Sequence, residues 1–125
     1  MELQILPDLL TICKLADAES ADRCGAFYFL AKTDEEVSLV CRTEETPEKA
    51  LEREDGWRGF RIRGVLDFSL IGILSKLTGI LAENGIGIFA VSTFNTDYIL
   101  VKEEHFDRAI RVLADADYKI SAVPA

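Results

Sequence analysis

Two adjoining stretches decide the fold of this chain: residues 69–85, SLIGILSKLTGILAENG, and residues 86–102, IGIFAVSTFNTDYILVK. In the first stretch, leucines recur at the spacing i, i+4, i+7 and i+11, which places them on one face of a helix. They are Leu70, Leu74, Leu77 and Leu81. In the second stretch, β-branched and aromatic residues flank the turn residues 95–97. The two stretches therefore predict a helix followed by a β-hairpin.

The segments on either side complete a regular order of elements. Residues 60–66, FRIRGVL, alternate between apolar and polar side chains, which predicts a half-buried strand. After the hairpin, a second helix is predicted by the apolar face of Phe106, Ala109, Ile110 and Leu113, and residues 118–123 predict a closing strand. The order β-α-β-β-α-β is a split βαβ unit, in which helices cover one face of an antiparallel sheet.

The first half of the chain follows the same pattern at an offset of 61 residues, which aligns VSLVC at Val37 with YILVK at Tyr98. This offset predicts an internal duplication. We therefore expect an α+β chain of two ferredoxin-like βαββαβ units, an N-terminal unit of residues 1–59 and a C-terminal unit of residues 60–125.

The N-terminal unit departs from the pattern at its helices. Residues 16–25, ADAESADRCG, are small and polar, so a loop or a single turn is expected where the second unit has its first helix. Residues 47–55, PEKALERED, predict a short charged helix that starts at a proline. The N-terminal unit is thus expected to have a reduced first helix.

Charge and composition exclude several classes of partner. The 125 residues carry 14 Lys and Arg against 22 Asp and Glu, a net charge of -8, which repels phosphate backbones and anionic membranes. We therefore expect no nucleic-acid partner. No apolar run is long enough to span a membrane, and the first residues lack a signal-peptide pattern, so a cytoplasmic protein without a membrane partner is expected.

Residues able to support catalysis or hold a metal are scarce. The three cysteines, Cys13, Cys24 and Cys41, have no metal-ligand spacing with the single histidine, His105, and are expected to be reduced thiols in the core. Nucleophile-elbow, P-loop and zinc-protease motifs are absent from the sequence. We expect no catalytic residue, no metal and no cofactor; an unrecognised enzyme ranks third among the functional hypotheses.

The loop before the first helix of the second half is a candidate binding site. A helix N-terminus presents free backbone N–H groups that stabilise a carboxylate. The residues concerned are Asp67, Phe68, Ser69, Leu70, Ile71 and Gly72. The alternative is that a cap by Asp67 or Ser69 alone satisfies these groups. The sequence leaves both interpretations open.

Residues 64–113, from GVLDFS to AIRVL, resemble the ACT domain. Within that family, IGIFAVSTFNTDYILV is similar to the tandem-ACT group, which includes arginine-sensing proteins of the eukaryotic TOR pathway and small bacterial proteins. The first half is similar to the degenerate N-terminal copy of that group. The resemblance implies amino-acid binding and regulation without catalysis.

The resemblance also implies where the ligand is held. The site would combine residues 67–72 with the strand end formed by Ser92, Thr93, Phe94, Asn95 and Asp97. Asp97 would pair with an α-ammonium group or a cationic side chain, and Phe94 would supply an apolar wall. The alternative for Asp97 is a turn carboxylate bonded to its own backbone.

Two features depart from the family pattern. ACT domains of metabolic enzymes often have a glycine in the loop before the first helix, whereas Gly72 is expected inside the helix and Phe68 in the turn, so the ligand is expected to differ. In the first half, Glu36 falls at the position of Asp97, but no second complete site is expected there. We therefore expect one site per chain, or one shared at an interface.

The functional hypothesis is a non-enzymatic regulatory protein that binds a small amino acid, forms a homo-oligomer such as a dimer, and acts on a protein partner. The alternative is a structural or interaction module without a ligand site, which acts through homodimerisation or by docking on an enzyme.

Overall fold

The computed structural model describes residues 1–63 and 72–123, which form eight strands, two α-helices and two 3₁₀ turns. The strands are β1 (Glu2–Ile5), β2 (Leu10–Leu15), β3 (Tyr28–Lys32), β4 (Val37–Arg42), β5 (Glu52–Ile62), β6 (Phe89–Ser92), β7 (Asp97–Lys102) and β8 (Lys119–Ala122). The helices are α1 (Ile73–Glu83) and α2 (Glu103–Asp115), and the 3₁₀ turns are Ala18–Ala21 and Thr43–Glu45.

The chain divides into two units. The first, which we call the main unit, consists of residues 1–7 and 58–125; the second, which we call the inserted unit, consists of residues 8–57. Strand β5 contributes to both, with residues 52–57 in the inserted unit and residues 58–62 in the main unit.

The main unit is an α+β structure in which two helices pack on a mostly antiparallel sheet of strand order β8-β1-β5-β7-β6. Both helices follow the apolar periodicity of the sequence: Leu77 and Leu81 of α1 and Leu113 of α2 are fully buried. They pack with Phe60 and Ile62 of β5 in one core. The predicted fold class, hairpin and second helix are confirmed for this unit.

Strand β1 is a feature of the main unit that the sequence pattern does not predict. It lies between β5 and β8, antiparallel to β5 with Leu3 opposite Ile62, and parallel to β8 with Leu3 opposite Ile120. The expected boundary between residues 59 and 60 places residues 1–7 with the first half, whereas their strand pairs with elements of the second half. Four residues are too few for a periodicity to indicate their partner.

The inserted unit has the strand order β3-β4-β2-β5. The 3₁₀ turn Ala18–Ala21 confirms the prediction of a loop or a single turn in residues 16–25. The predicted charged helix over residues 47–55 is wrong, because Glu52 and Glu54 pair with Lys14 and Ile12 as the start of β5. Helix propensity is a weak preference, and pairing with β2 overrides it.

The β3-β4 and β6-β7 hairpins have the same register, but at a separation of 60 residues. Lys32 pairs with Val37 as Ser92 pairs with Asp97. The predicted offset of 61 residues is therefore wrong by one position, and a one-residue slip exchanges the two faces of a strand. The counterpart of Asp97 is Val37 and not Glu36. The offset depends on a short apolar match, which two adjacent alignments satisfy almost equally.

A buried hydroxyl organises one end of the inserted unit. Thr11 is fully buried, and its Oγ1 lies 2.8 Å from Asp55 Oδ1 and 3.0 Å from Thr43 Oγ1. Arg53 Nη2 donates to the same carboxylate oxygen at 2.9 Å. The hydrogen bond from Thr11, followed by that from Arg53, lowers the pKa of Asp55 below its ordinary value of 3.8.

We expect Leu3→Ala to destabilise the chain by about 2–5 kcal/mol, because it leaves a cavity where β1 meets β5 and β8. Urea denaturation followed by far-UV circular dichroism measures this loss. The matched control is Leu51→Ala, which truncates a leucine that is 59% exposed and should change stability by less than about 0.5 kcal/mol. Equal losses in the two variants would show that β1 is not part of the core.

We expect Thr11→Val to raise the pKa of Asp55 toward 3.8, because the variant loses the hydroxyl donor. A lowered carboxyl pKa adds stability that is present above its unfolded value and is lost as the pH falls through the folded value. The stability difference between wild type and variant should therefore shrink below the ordinary Asp pKa. NMR titration of Asp55 and urea denaturation at several pH values test this, with Thr78→Val on α1 as control. An unchanged Asp55 pKa would contradict the assignment.

Candidate functional site

The turn between β6 and β7 is anchored to the neighbouring strand. Thr93 N–H donates to the Thr96 carbonyl at 2.8 Å, which closes the turn. The Thr96 hydroxyl, which is buried, donates to the Ile62 carbonyl of β5 at 2.8 Å. Because a buried hydroxyl without a partner is costly, this bond fixes the position of the turn against β5.

A serine and an aspartate face each other where the turn meets the strands. Ser92 of β6 pairs with Asp97 of β7, and Ser92 Oγ donates to Asp97 Oδ1 at 2.6 Å. The Asp97 side chain therefore bonds to a neighbouring side chain, which differs from the alternative of a turn carboxylate bonded to its own backbone. A carboxylate offers about four acceptor positions, so one bond from Ser92 leaves capacity for a further donor.

The tip of the turn projects into solvent. Phe94 is 79% exposed and Asn95 is also exposed, whereas Thr93 is half-buried and also holds the turn through its hydroxyl, which lies 3.0 Å from the Thr96 carbonyl oxygen. The role of Phe94 as an apolar wall of a ligand site stays a prediction. The hairpin thus brings together the five predicted residues Ser92, Thr93, Phe94, Asn95 and Asp97.

The second predicted part of the site lies mostly outside the described residues. This holds for Asp67, Phe68, Ser69, Leu70 and Ile71. Gly72 is described: it has a left-handed conformation with φ 82°, and its carbonyl accepts from Lys76 N–H at 2.8 Å.

The expectation that Gly72 lies inside the helix is wrong, because α1 begins at Ile73 and Gly72 occupies the N-cap position. The positive φ explains the choice of glycine, since residues with a side chain rarely adopt it. A glycine at the N-cap also has no side chain to accept from the first-turn N–H groups of α1. The expected departure from the ACT pattern at this position is therefore not found, because Gly72 directly precedes α1.

Thr96 is not among the predicted site residues, although it supports the turn. Its signal in the sequence is weak, since a single polar residue in a turn gives no indication that its hydroxyl is buried.

The inserted unit contains a cleft of about 610 Å³, which the sequence analysis does not predict. Its two walls are formed by residues 17–23 and 44–49, and it carries mostly acidic side chains.

Residues 1–63 and 72–123 contain no group of three or more His, Cys, Asp and Glu residues that could hold a metal ion. His105 lies on α2, where Nε2 is 3.8 Å from Glu104 and Nδ1 is 3.5 Å from Arg108. Neither described helix is long and apolar enough to cross a membrane.

Comparison with solved structures gives relatives over the whole chain. Protein Atu0741 from Agrobacterium tumefaciens is 32% identical, with a TM-score of 0.86, and the match covers 99% of this chain and 94% of that protein. Protein VC0802 from Vibrio cholerae, of unknown function, is 18% identical with a TM-score of 0.71, over 90% of this chain and 86% of that one.

The regulatory subunit of aspartate kinase from Thermus thermophilus is 11% identical with a TM-score of 0.66. That match covers 93% of this chain and 97% of the subunit. At such identities the second and third likenesses show a common fold. No curated protein matches the chain in sequence.

Comparison with protein families identifies residues 52–115 as an ACT domain. This match spans half of the chain and includes β5, both helices and the β6-β7 hairpin that carries Ser92 and Asp97. The chain belongs to the ACT domain family.

Proposed function

We propose that this chain is a regulatory protein that binds a small amino acid at the end of the β6-β7 hairpin and has no catalytic activity of its own. ACT domain homologues are regulatory amino-acid-binding modules. The observation that carries the proposal is the Asp97 carboxylate, oriented by Ser92 at 2.6 Å beside a turn that Thr96 anchors to β5.

The proposed ligand contacts follow from charge. The α-ammonium group, or a cationic side chain, donates to the remaining acceptor positions of Asp97. The α-carboxylate accepts from N–H groups at the N-terminus of α1, with residues 67–72 as its proposed contacts, a position that the helix dipole also favours. Phe94 covers the apolar part of the ligand. Preorganised contacts of this kind favour affinity, because little side-chain freedom is lost on binding.

We propose further that the inserted unit is a second, reduced ACT unit without a ligand site of its own. Its support is the strand order β3-β4-β2-β5 and a hairpin with the same register as β6-β7. At the separation of 60 residues, the counterparts of Ser92 and Asp97 are Lys32 and Val37, which lack the hydroxyl and the carboxylate. One site per chain, or one shared between two chains, follows from this.

The proposal includes a homodimer, a protein partner and a cytoplasmic location. Three free cysteines favour a reducing compartment. Edge strand β3 exposes Tyr28 and Leu30, at 44% and 40%, and such an edge favours the alternative function of an interaction module that associates without a ligand.

A thermal-shift screen of the twenty amino acids at millimolar concentration tests the binding function. A ligand at about 100 times its Kd adds roughly 2.7 kcal/mol and should raise the Tm by several degrees. No shift with any amino acid, together with concentration-dependent association, would favour the interaction module instead.

We expect Asp97→Asn to weaken binding of the amino acid found in that screen by about 10–100-fold, because a hydrogen bond to a charged group is worth about 1.5–3 kcal/mol. Isothermal titration calorimetry measures the Kd of the variant. Asp107→Asn, which removes an exposed carboxylate from α2, is the matched control and should leave the Kd unchanged. Equal affinities of wild type and Asp97→Asn would place the ligand elsewhere.

The same titrations give the stoichiometry. We expect one ligand per chain, or one per two chains if the site is shared, because Lys32 and Val37 cannot replace Ser92 and Asp97. Two equivalent ligands per chain would contradict the proposal that the inserted unit has no ligand site.

A further inference from the structure

The three cysteines of the chain meet in the core of the inserted unit. Cys13 of β2 is paired with Leu39 and Cys41 of β4 with Thr11, so the two thiols are diagonal neighbours on one face of the sheet. Cys24 packs against the same cluster from the segment that follows the first 3₁₀ turn. Cys41 Sγ lies 3.7 Å from Thr46 Oγ1, and the Cys41 thiol is close enough to the two other thiols to contribute to the raised pKa of each.

The position of Cys24 against this cluster is fixed by the backbone around it. Cys24 N–H donates to the Ala21 carbonyl at 3.2 Å, and Gly25 N–H donates to Glu45 Oε2 at 3.1 Å. A Cβ atom on Gly25 would lie 2.8 Å from that oxygen, so glycine permits this close approach. The segment that carries Cys24 is therefore tied to the 3₁₀ turn that follows Cys41.

Of the two pairs that include Cys41, Cys24 and Cys41 are the better suited to form a disulfide. Diagonal residues on paired strands have Cα atoms about 7–8 Å apart, whereas a disulfide requires less than about 7 Å. This disfavours Cys13 with Cys41, whose strands are fixed by a continuous ladder. Cys24 lies outside any strand and is half-buried, whereas Cys13 and Cys41 are buried, so Cys24 is the thiol that a reagent reaches first.

We propose that Cys24 and Cys41 are a redox modification site, which low-molecular-weight disulfides such as oxidised glutathione convert into an intramolecular disulfide. Cys24 loses its proton and attacks one sulfur of the reagent, so that a mixed disulfide forms and one thiolate leaves. Cys41 then loses its proton and attacks the Cys24 sulfur, and the second thiolate leaves. Two protein thiols are oxidised and the reagent is reduced to two thiols.

The environment of the thiols makes this reaction slow at neutral pH. Burial, and then the neighbouring Cys41 and Glu45, raise the pKa of Cys24 to about 11. Burial also raises the pKa values of Cys13 and Cys41, although the positive charge of Arg53 on β5 lowers both. The negative charge of Asp22 contributes to the raised pKa of Cys24. Since the thiolate is the reacting form, the rate should rise about tenfold per pH unit between pH 7 and 9.

The disulfide would join the two walls of the cleft in the inserted unit. Cys24 directly follows residues 17–23, and Cys41 precedes residues 44–49. The reduced protein links the walls through the Gly25–Glu45 hydrogen bond, and the oxidised protein would add a covalent link. This site is independent of the proposed amino-acid site, which lies in the main unit.

Incubation of the full chain with oxidised glutathione at pH 7, 8 and 9, followed by intact-mass and peptide mapping under non-reducing conditions, tests the proposal. We expect wild type to lose two hydrogens and to yield a peptide pair linked through Cys24 and Cys41, about tenfold faster per pH unit. A link through Cys13, a bond between chains, an accumulated glutathione adduct or no reaction at pH 9 would each overturn the proposal.

Single substitutions supply the matched controls. Cys13→Ser should form the same disulfide, Cys24→Ser should not react at this site, and Cys41→Ser should stop at a glutathione adduct on Cys24. Circular dichroism verifies the fold of each variant, and Cys41→Ala replaces Cys41→Ser if the buried hydroxyl prevents folding. Peptide mapping of the wild type identifies the pair without any variant.

Discussion

Strand β5 is the element on which both units depend. Its residues 52–57 complete the sheet of the inserted unit by pairing with β2, and its residues 58–62 form the centre of the main unit between β1 and β7. In the main unit, Gly59 permits the close approach of β7, since a Cβ there would lie 3.1 Å from the Ile99 carbonyl oxygen. The Ile62 carbonyl then receives the Thr96 hydroxyl, so the same strand also positions the candidate site.

The position of the hairpin turn shows how ordinary sheet contacts arrange the residues of the candidate site. Asp97 belongs to the first position of β7, and its partner Ser92 belongs to the last position of β6, so the pair lies where the ladder ends and backbone groups meet solvent. Strand pairing orients both side chains before any ligand binds. Lys32 and Val37 occupy the same ladder positions in the inserted unit, which shows that the geometry of the hairpin does not require the polar pair.

The sequence predicts the elements that show a clear apolar pattern along one stretch of chain. It does not predict the elements whose structure depends on pairing with a distant segment. The leucine spacing of α1, the apolar face of α2 and the hairpin were each evident from one stretch of chain. The strand at residues 52–55 is not evident from the local sequence, because charged residues of high helix propensity form a strand here when β2 supplies the hydrogen bonds. The four residues of β1 are too few for a periodicity to indicate their partners.

The candidate site could be predicted in its residue types but not in its contacts. Asp97 is a candidate from its residue type, yet its bond to Ser92 depends on the pairing register of β6 with β7, which the sequence pattern does not predict. The buried hydroxyl of Thr96 and the N-cap position of Gly72 depend on backbone geometry and could not be inferred from polarity. The proximity of Cys13 and Cys41 likewise arises from the pairing of β2 with β4.

The parallel pairing of β1 with β8 has a consequence for the order of folding. It joins Glu2 to Lys119 and Ile5 to Ala122, so residues near the two ends of this sequence lie in one ladder. Contacts between such distant positions form late, because a long stretch of chain must first be closed. The inserted unit is contiguous and meets no such delay. Its strand pairings involve only residues 8–57, so during synthesis they become possible before β8 has been made, whereas β1 gains its second neighbour only with β8.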